Sequence, residues 1–349
     1  MTCKNRVKVR SLVYAAAPMS TIASPADQVG GRGARVSPLR KRADVFGDRL
    51  LFGVCLAAAL VAGVVIFLVG YQIVHGAQPA ISKFGLGFVT STTWQPNFGK
   101  FGAGVLLYGT AVTSAFALLL GAPIAISIGL FLTLLAPAGV RGIVGPLVEL
   151  LAAIPSVILG FWGLLVLAPF VQSKVEPFLH DTFGFIPIFG PPQTTGLSLF
   201  TASLVLTIMV IPIVASISRD LFQSVPPELQ DGASALGATR WEVVRGVILP
   251  TTSTGVVAAC LLGLGRALGE AIAVSQVIGA GFEIKSASLF DSGNTLASQI
   301  ALQFPGALTE LHKASLYYCG VILLVIGLTA NLIASWIGRR FSYSGAVNW

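Results

Sequence analysis

Charge is scarce in this chain. Of its 349 residues only 10% are Asp, Glu, Lys or Arg, against roughly 25% in soluble globular domains, while 54% are hydrophobic and the mean hydropathy is +0.84. That deficit excludes an ordinary soluble domain. Cysteine and histidine are equally sparse: Cys3, Cys55, Cys260 and Cys319 show no C-x-x-C spacing, and His75, His180 and His312 lie far apart. Neither a disulfide framework nor a metal site is predicted. No G-x-x-x-x-G-K-[ST] phosphate loop, H-E-x-x-H helix or G-x-S-x-G elbow occurs, and Gly99-Lys100 is followed by Phe. The chain is therefore expected to be non-catalytic and to bind no cofactor itself.

Long apolar runs are what it has. Crossing about 30 Å of hydrocarbon takes roughly 20 helical residues, and six runs meet that length, near 50–74, 104–132, 143–170, 197–218, 253–279 and 314–337. The predicted fold class is all-α, a polytopic membrane protein of six transmembrane helices. Basic residues near span ends stay on the cytoplasmic side, and their distribution is lopsided. Ten of 22 precede residue 50, and Arg141, Arg219, Arg240, Arg245, Arg339 and Arg340 fall on the same side. The other side holds Lys83, Lys100, Lys174, Lys285 and Lys313, and Arg266 lies inside a span. Both termini and the segment 219–250 are thus predicted to be cytosolic, with 75–103, 171–196 and 280–313 outside.

The basic tail, residues 1–45, lacks a hydrophobic pattern and is predicted to be disordered up to about Leu39. Its expected partner is anionic membrane lipid, with no nucleic acid required. It contains no adequate cleavable signal, and Met19 is a second candidate start. The six-helix transmembrane body then runs over 46–340, and 341–349 forms a short cytosolic tail.

Between Arg219 and Pro250 a polar stretch separates two apolar runs. Ser224, then Pro226-Pro227-Glu228, predicts a capped helix start, with a carboxylate on the positive end of the dipole. This helix should end at Gly237, a residue free to adopt the left-handed conformation. Leu229, Ala233 and Leu236 fall at i, i+4 and i+7 and predict one apolar face. Thr239-Arg240-Trp241-Glu242 fits a T-x-x-E capping box that opens a second short helix, and Pro250 marks the start of the next span. On these signals alone the stretch reads equally as a plain linker or as a docking surface.

The spacing narrows that choice. Asp231-Gly232-Ala233, three residues, Gly237, nine residues, Val247, one residue, then Leu249-Pro250 resembles the E-A-A-x3-G-x9-I-x-L-P loop of ATP-binding-cassette importer permeases. Asp231, Gly232 and Val247 depart from it, each keeping charge or small apolar character. Gly232 weakens the helix by about 1 kcal/mol relative to Ala. Longer phrases resemble the phosphate-specific importer permeases, nearer the PstC-type than the PstA-type: 149–163 with Glu149, Pro155, Ser156, Gly160, Trp162 and Gly163; 265–271 with Arg266 and Glu270; and Asn331-Leu-Ile-Ala. The resemblance implies a type I importer fold in a bacterial plasma membrane and inorganic phosphate as cargo. It also implies a PstA-type partner subunit, two copies of a separate ATPase that uses ATP and Mg, and an extracytoplasmic phosphate-binding protein. Sulfate or molybdate import is the nearest alternative, and an ion-coupled secondary transporter a more distant one.

Arg266 and Glu270 form the most unusual pair. Counted from Thr252, Arg266 lies about 21 Å into span five, where a charge costs about 2.5 to 3.5 kcal/mol or more. One turn apart on one helical face, the two residues read either as a structural ion pair or as a substrate path, in which a planar guanidinium replaces the lost hydration of an oxyanion and Glu270 holds and shields it. Glu149 is expected at a helix N-terminus. Pro155 and Pro169, with Gly160 and Gly163, predict bending in span three, as Gly121 and Pro123 do in span two. The apolar stretch 185–192 is a candidate cover for the outer mouth.

Overall fold

The structure, a computed structural model, describes residues 38–283 and 286–340. Residues 1–37 of the basic tail, with Met19, together with Ile284, Lys285 and the segment 341–349, lie outside them. The helices are α1 Pro38–Phe84, α2 Gly104–Leu135, α3 Ala138–Ala153, α4 Ser156–Phe183, α5 Leu199–Gln223, α6 Pro227–Ala235, α7 Arg240–Gly269, α8 Ile272–Val277, α9 Leu296–Gln303 and α10 Glu310–Arg340. Six stretches are long and apolar enough to cross a membrane: Phe46–Phe84, α2, α4, α5, α7 and Glu310–Ile333. The described residues contain no strand, only an isolated bridge between Gln95 and Lys100.

By packing, the chain divides into residues 1–67 and 68–349. In the first unit, the described side chains of α1, from Phe46 to Phe67, are all exposed. The second unit is built around α5. Two thirds of its most apolar window is buried, against 28% or less for every other candidate span. It is accordingly the central helix of this unit. Ser198 caps it, its Oγ accepting from the Thr201 N–H at 3.2 Å.

What lets α2 lie close to α5 is a small-residue stripe. Gly109, Thr113, Ala117, Gly121, Ala125 and Gly129 recur every fourth residue and are all buried, so one face of α2 has almost no side-chain bulk and the backbones approach. Gly121 faces Val210 and Gly129 faces Arg219 and Phe222, a parallel register. Helix α7, by contrast, runs antiparallel to α5, with Gly255 against Leu221 and Gly263 against Val210 and Val214.

Two expected spans are broken. Ile154 and Pro155 adopt extended conformations (ψ 125° and 135°) and separate α3 from α4. Pro155 lacks an N–H and disfavours helical geometry at Ile154. Span five likewise stops at Gly269, with Glu270 extended (φ −73°, ψ 118°), before the chain resumes as α8. Helix α8 then reaches the start of α5, its Val277 carbonyl accepting from the Ser198 N–H at 3.1 Å.

The segment 280–313, expected to be an outer loop, is largely built into the fold. Leu289, Phe290, Asn294, Leu296, Ser298 and Gln299 are buried, and Phe290 meets Phe200 edge to face at 5.7 Å. The Leu296 N–H donates to Thr110 Oγ1 at 3.0 Å, and the Asn294 amide donates to Gln299 Oε1 at 2.7 Å. Buried polar groups need such partners, and the Leu296 N–H finds one on α2 and the Asn294 amide one within the segment. Gly109 abuts the Asn294 carbonyl so closely that an added Cβ would collide with backbone. Gly109→Ala is therefore expected to cost about 2 kcal/mol, in the range of overpacked cores, and to lower the thermal melting point of the detergent-solubilised protein. An unchanged melting point would show that the segment can shift without cost.

Candidate functional site

The loop between α5 and α7 folds as its caps dictate. Helix α6 starts after Pro226, with Pro227 in its first turn and Glu228 on its positive end. Ser224 does not cap it: its hydroxyl donates to the Leu221 carbonyl at 2.7 Å and so finishes α5. The far end has a left-handed Gly237 (φ 87°), which lets the Ala238 N–H reach back to the Ala233 carbonyl at 3.1 Å. Thr239 and Glu242 make the expected capping box, in which Glu242 Oε2 accepts from the Thr239 N–H at 2.7 Å and Thr239 Oγ1 accepts from the Glu242 N–H at 3.4 Å.

The second short helix is not separate, however. Arg240 to Gly269 is one continuous path, passing Pro250 through a π turn at Val244–Ile248. A proline ring clashes with the carbonyl one turn earlier, and the wider turn accommodates it. The predicted apolar face is also divided. Ala233 packs inward beside Val225, Val243, Ile248 and Leu249, whereas Leu229 and Leu236 are 50% and 90% exposed. Asp231 and Gly232 are exposed too, and Pro250 lies exposed on the helix beyond. A groove of about 550 Å³ beneath α6 is lined by Asp231, Ser234, Arg240, Trp241, Leu134 and Leu135.

Arg266 lies three residues beyond Gly263 and is therefore level with the middle of α5, roughly 15 to 20 Å from either end of that helix. It is exposed on the surface of the chain and, among the described residues, makes no ion pair or hydrogen bond. The expected pairing with Glu270 is not formed. The helix ends at Gly269, so Glu270 is not on the next turn of the same face. Its Oε1 instead accepts from the Ala273 N–H at 3.3 Å, satisfying a free donor at the start of α8. Gly265 and Gly269 flank Arg266 with open space around them. A groove of about 520 Å³ between α7 and α10 joins Arg266 to Thr254, Asn331 and Ser335.

Glu149 also differs from expectation. It sits near the C-terminal end of α3, and its Oε1 accepts from Arg219 Nη2 at 2.8 Å. Nothing in the local pattern around either residue foretold this, because the partners are 70 residues apart. Of the stretch 185–192, Phe189 packs near Phe290 and the Gly190 N–H donates to Ser288 Oγ at 3.1 Å, while Phe185 is exposed.

Comparison with known proteins bears on this arrangement. Residues 121–343, which contain both helix breaks and the loop, match the family described as binding-protein-dependent transport system inner membrane components. The phosphate transport system permease protein PstC of Mesorhizobium japonicum is 42% identical over 298 residues, 84% of this chain and 90% of that protein. The chain belongs to the PstC permease family. PstC of Haemophilus influenzae is also 42% identical, over 77% of this chain and 85% of its own length. PstC 2 of Mycobacterium tuberculosis is 38% identical over 82% and 90%. Among solved structures, a bacterial alginate ABC transporter in complex with a pentasaccharide-bound periplasmic protein aligns with a TM-score of 0.58 at 21% identity, covering 87% of this chain and 99% of the matched one. That likeness concerns the fold alone, the type I importer permease architecture. This PstC-family chain is accordingly a multi-pass permease subunit.

Proposed function

We propose that the chain forms half of the transmembrane path of an ATP-driven inorganic phosphate importer. Arg266 supplies the cation of that path. The observation that carries the reading is a guanidinium at mid-depth with no partner among the described residues, beside a helix break and in a groove that also carries Thr254, Asn331 and Ser335. A charge at that depth is stable only against water, a counter-charge or an anionic substrate, and discontinuous helices recur where transporters bind ions. A PstA-type partner on the face that bears Arg266 would close the path and leave the guanidinium accessible to phosphate. Glu270 sets the position of the break by capping α8, and its negative charge beyond the break keeps a phosphate from being held too tightly.

In the same reading the loop 219–250 and both termini are cytosolic, consistent with the basic-residue bias. Leu229, Asp231, Gly232 and Leu236 on α6 are the contact surface for one of two ATPase copies, and Leu249 and Pro250 carry its motion into α7. ATP and Mg are bound by that partner. An extracytoplasmic phosphate-binding protein delivers the cargo, consistent with a family described as binding-protein-dependent and with relatives named for phosphate transport.

Reconstitution of the chain in vesicles with these four partners tests the reading. Uptake of labelled phosphate is expected to require ATP and to resist a tenfold excess (about 1.4 kcal/mol of discrimination) of sulfate or molybdate. Uptake on an ion gradient without ATP would overturn the importer mechanism, and equal competition by sulfate would overturn the cargo.

A further inference from the structure

Helix α3 is held to its surroundings by little. Among its residues only Gly145 is buried, and its main neighbour is α5. At that contact the Arg219 guanidinium lies over Gly145, where an added Cβ would come within 3.3 Å of Nη1. The same guanidinium donates to Glu149 at 2.8 Å and pairs with Asp220 at 3.4 Å. From the other side Gly129 of α2 presses on the Arg219 backbone and on Phe222. Three helices thus meet at one arginine, four residues before the end of α5 and eight before α6.

Past Glu149, α3 ends at the Ile154–Pro155 break. On the next helix Gly160 sits against the Ala273 backbone, with Gln276 Oε1 directly over it. Ala273 is the residue whose N–H Glu270 binds. The contacts are therefore continuous from the loop, through Arg219 and Glu149, along α3 and across Pro155, to the break in span five.

We propose that the Arg219–Glu149 pair is the joint through which movement of α6 displaces α3 and, through it, the Glu270 break beside Arg266. Both are positioning residues and neither touches the cargo. The geometry favours this over a purely structural tie. The Glu149 side chain is half exposed at 54%, and ion pairs with an exposed partner contribute little to folding. A transmitted movement, by contrast, needs one connection that holds in both arrangements.

The proposal rests on the importer reading, so the parent complex is measured first: absence of ATP-driven phosphate uptake would overturn that reading and the joint with it. Given uptake, Arg219→Glu and Glu149→Arg are each expected to lower it about tenfold or more, the size of a typical coupling term. Complex assembly and ATP hydrolysis should stay close to the parent's, so that more ATP is spent per phosphate moved. The double exchange R219E/E149R, which returns opposite charges to the same place, is expected to restore uptake to within about threefold. Single variants that transport like the parent would overturn the joint, as would an assembled double exchange that fails to recover. If a charge reversal prevents assembly, Glu149→Gln, which keeps size and shape, is judged by the same ratio of ATP hydrolysed to phosphate moved.

Discussion

Replacing Arg266 by alanine is expected to reduce ATP-dependent phosphate uptake about a hundredfold, equivalent to about 2.7 kcal/mol, while the complex still assembles. The size follows from what the guanidinium must replace. An oxyanion entering a low-dielectric path loses water on several oxygens, and charge-assisted, forked hydrogen bonds are roughly twice as strong as neutral ones. Arg266 makes no ion pair or hydrogen bond among the described residues, so its removal strands no buried carboxylate and should leave the fold intact. Arg266→Lys should retain part of the activity, because an ammonium keeps the charge but loses the planar fork. Glu270→Gln should do less harm than Arg266→Ala, since an amide oxygen can still accept from the Ala273 N–H. Uptake measured in vesicles checks all three, and an assembled Arg266→Ala complex with parental uptake would remove Arg266 from the path.

The second large effect is expected at the loop. Changing Leu236 to Asp should weaken ATPase co-purification by about 30-fold or more, the range in which truncating a well-buried interface anchor costs about 2 kcal/mol. Leu236 is 90% exposed at the end of a nine-residue helix held by Gly237 in the left-handed region. It has no packing of its own to lose, so the effect would report the partner alone. Gly237→Val should act indirectly: a branched side chain is strained at a φ of 87°, the Ala233 carbonyl would lose the Ala238 N–H, and α6 would fray. The two variants separate by circular dichroism of the isolated chain, which only Gly237→Val should alter. Unchanged binding by Leu236→Asp would place the docking surface elsewhere.

Much of this was readable from the chain. Apolar length set the six spans, and Gly237, Thr239 and Glu242 announced their caps because capping acts within four residues. Arg266 stood out because a charge inside an apolar run is conspicuous without any structure. Other features were not local. Glu270 was read on the same helical face as Arg266 because periodicity assumes that the helix continues. The apolar face of α6 was misread for a related reason: Leu229, Ala233 and Leu236 have the correct period, but only packing against Val225, Val243 and Ile248 turned Ala233 inward.

By itself, then, the sequence determined the class of the protein, the number of its spans, the outline of the loop and the singular place of Arg266. These depend on composition and on neighbours a few residues apart. Only the tertiary structure decided that spans three and five break, that Glu149 meets Arg219 across 70 residues, and that the segment 280–313 is packed within the fold. Each of those outcomes depends on which backbone groups find partners when distant helices meet, and no window along the chain contains both sides of such a contact.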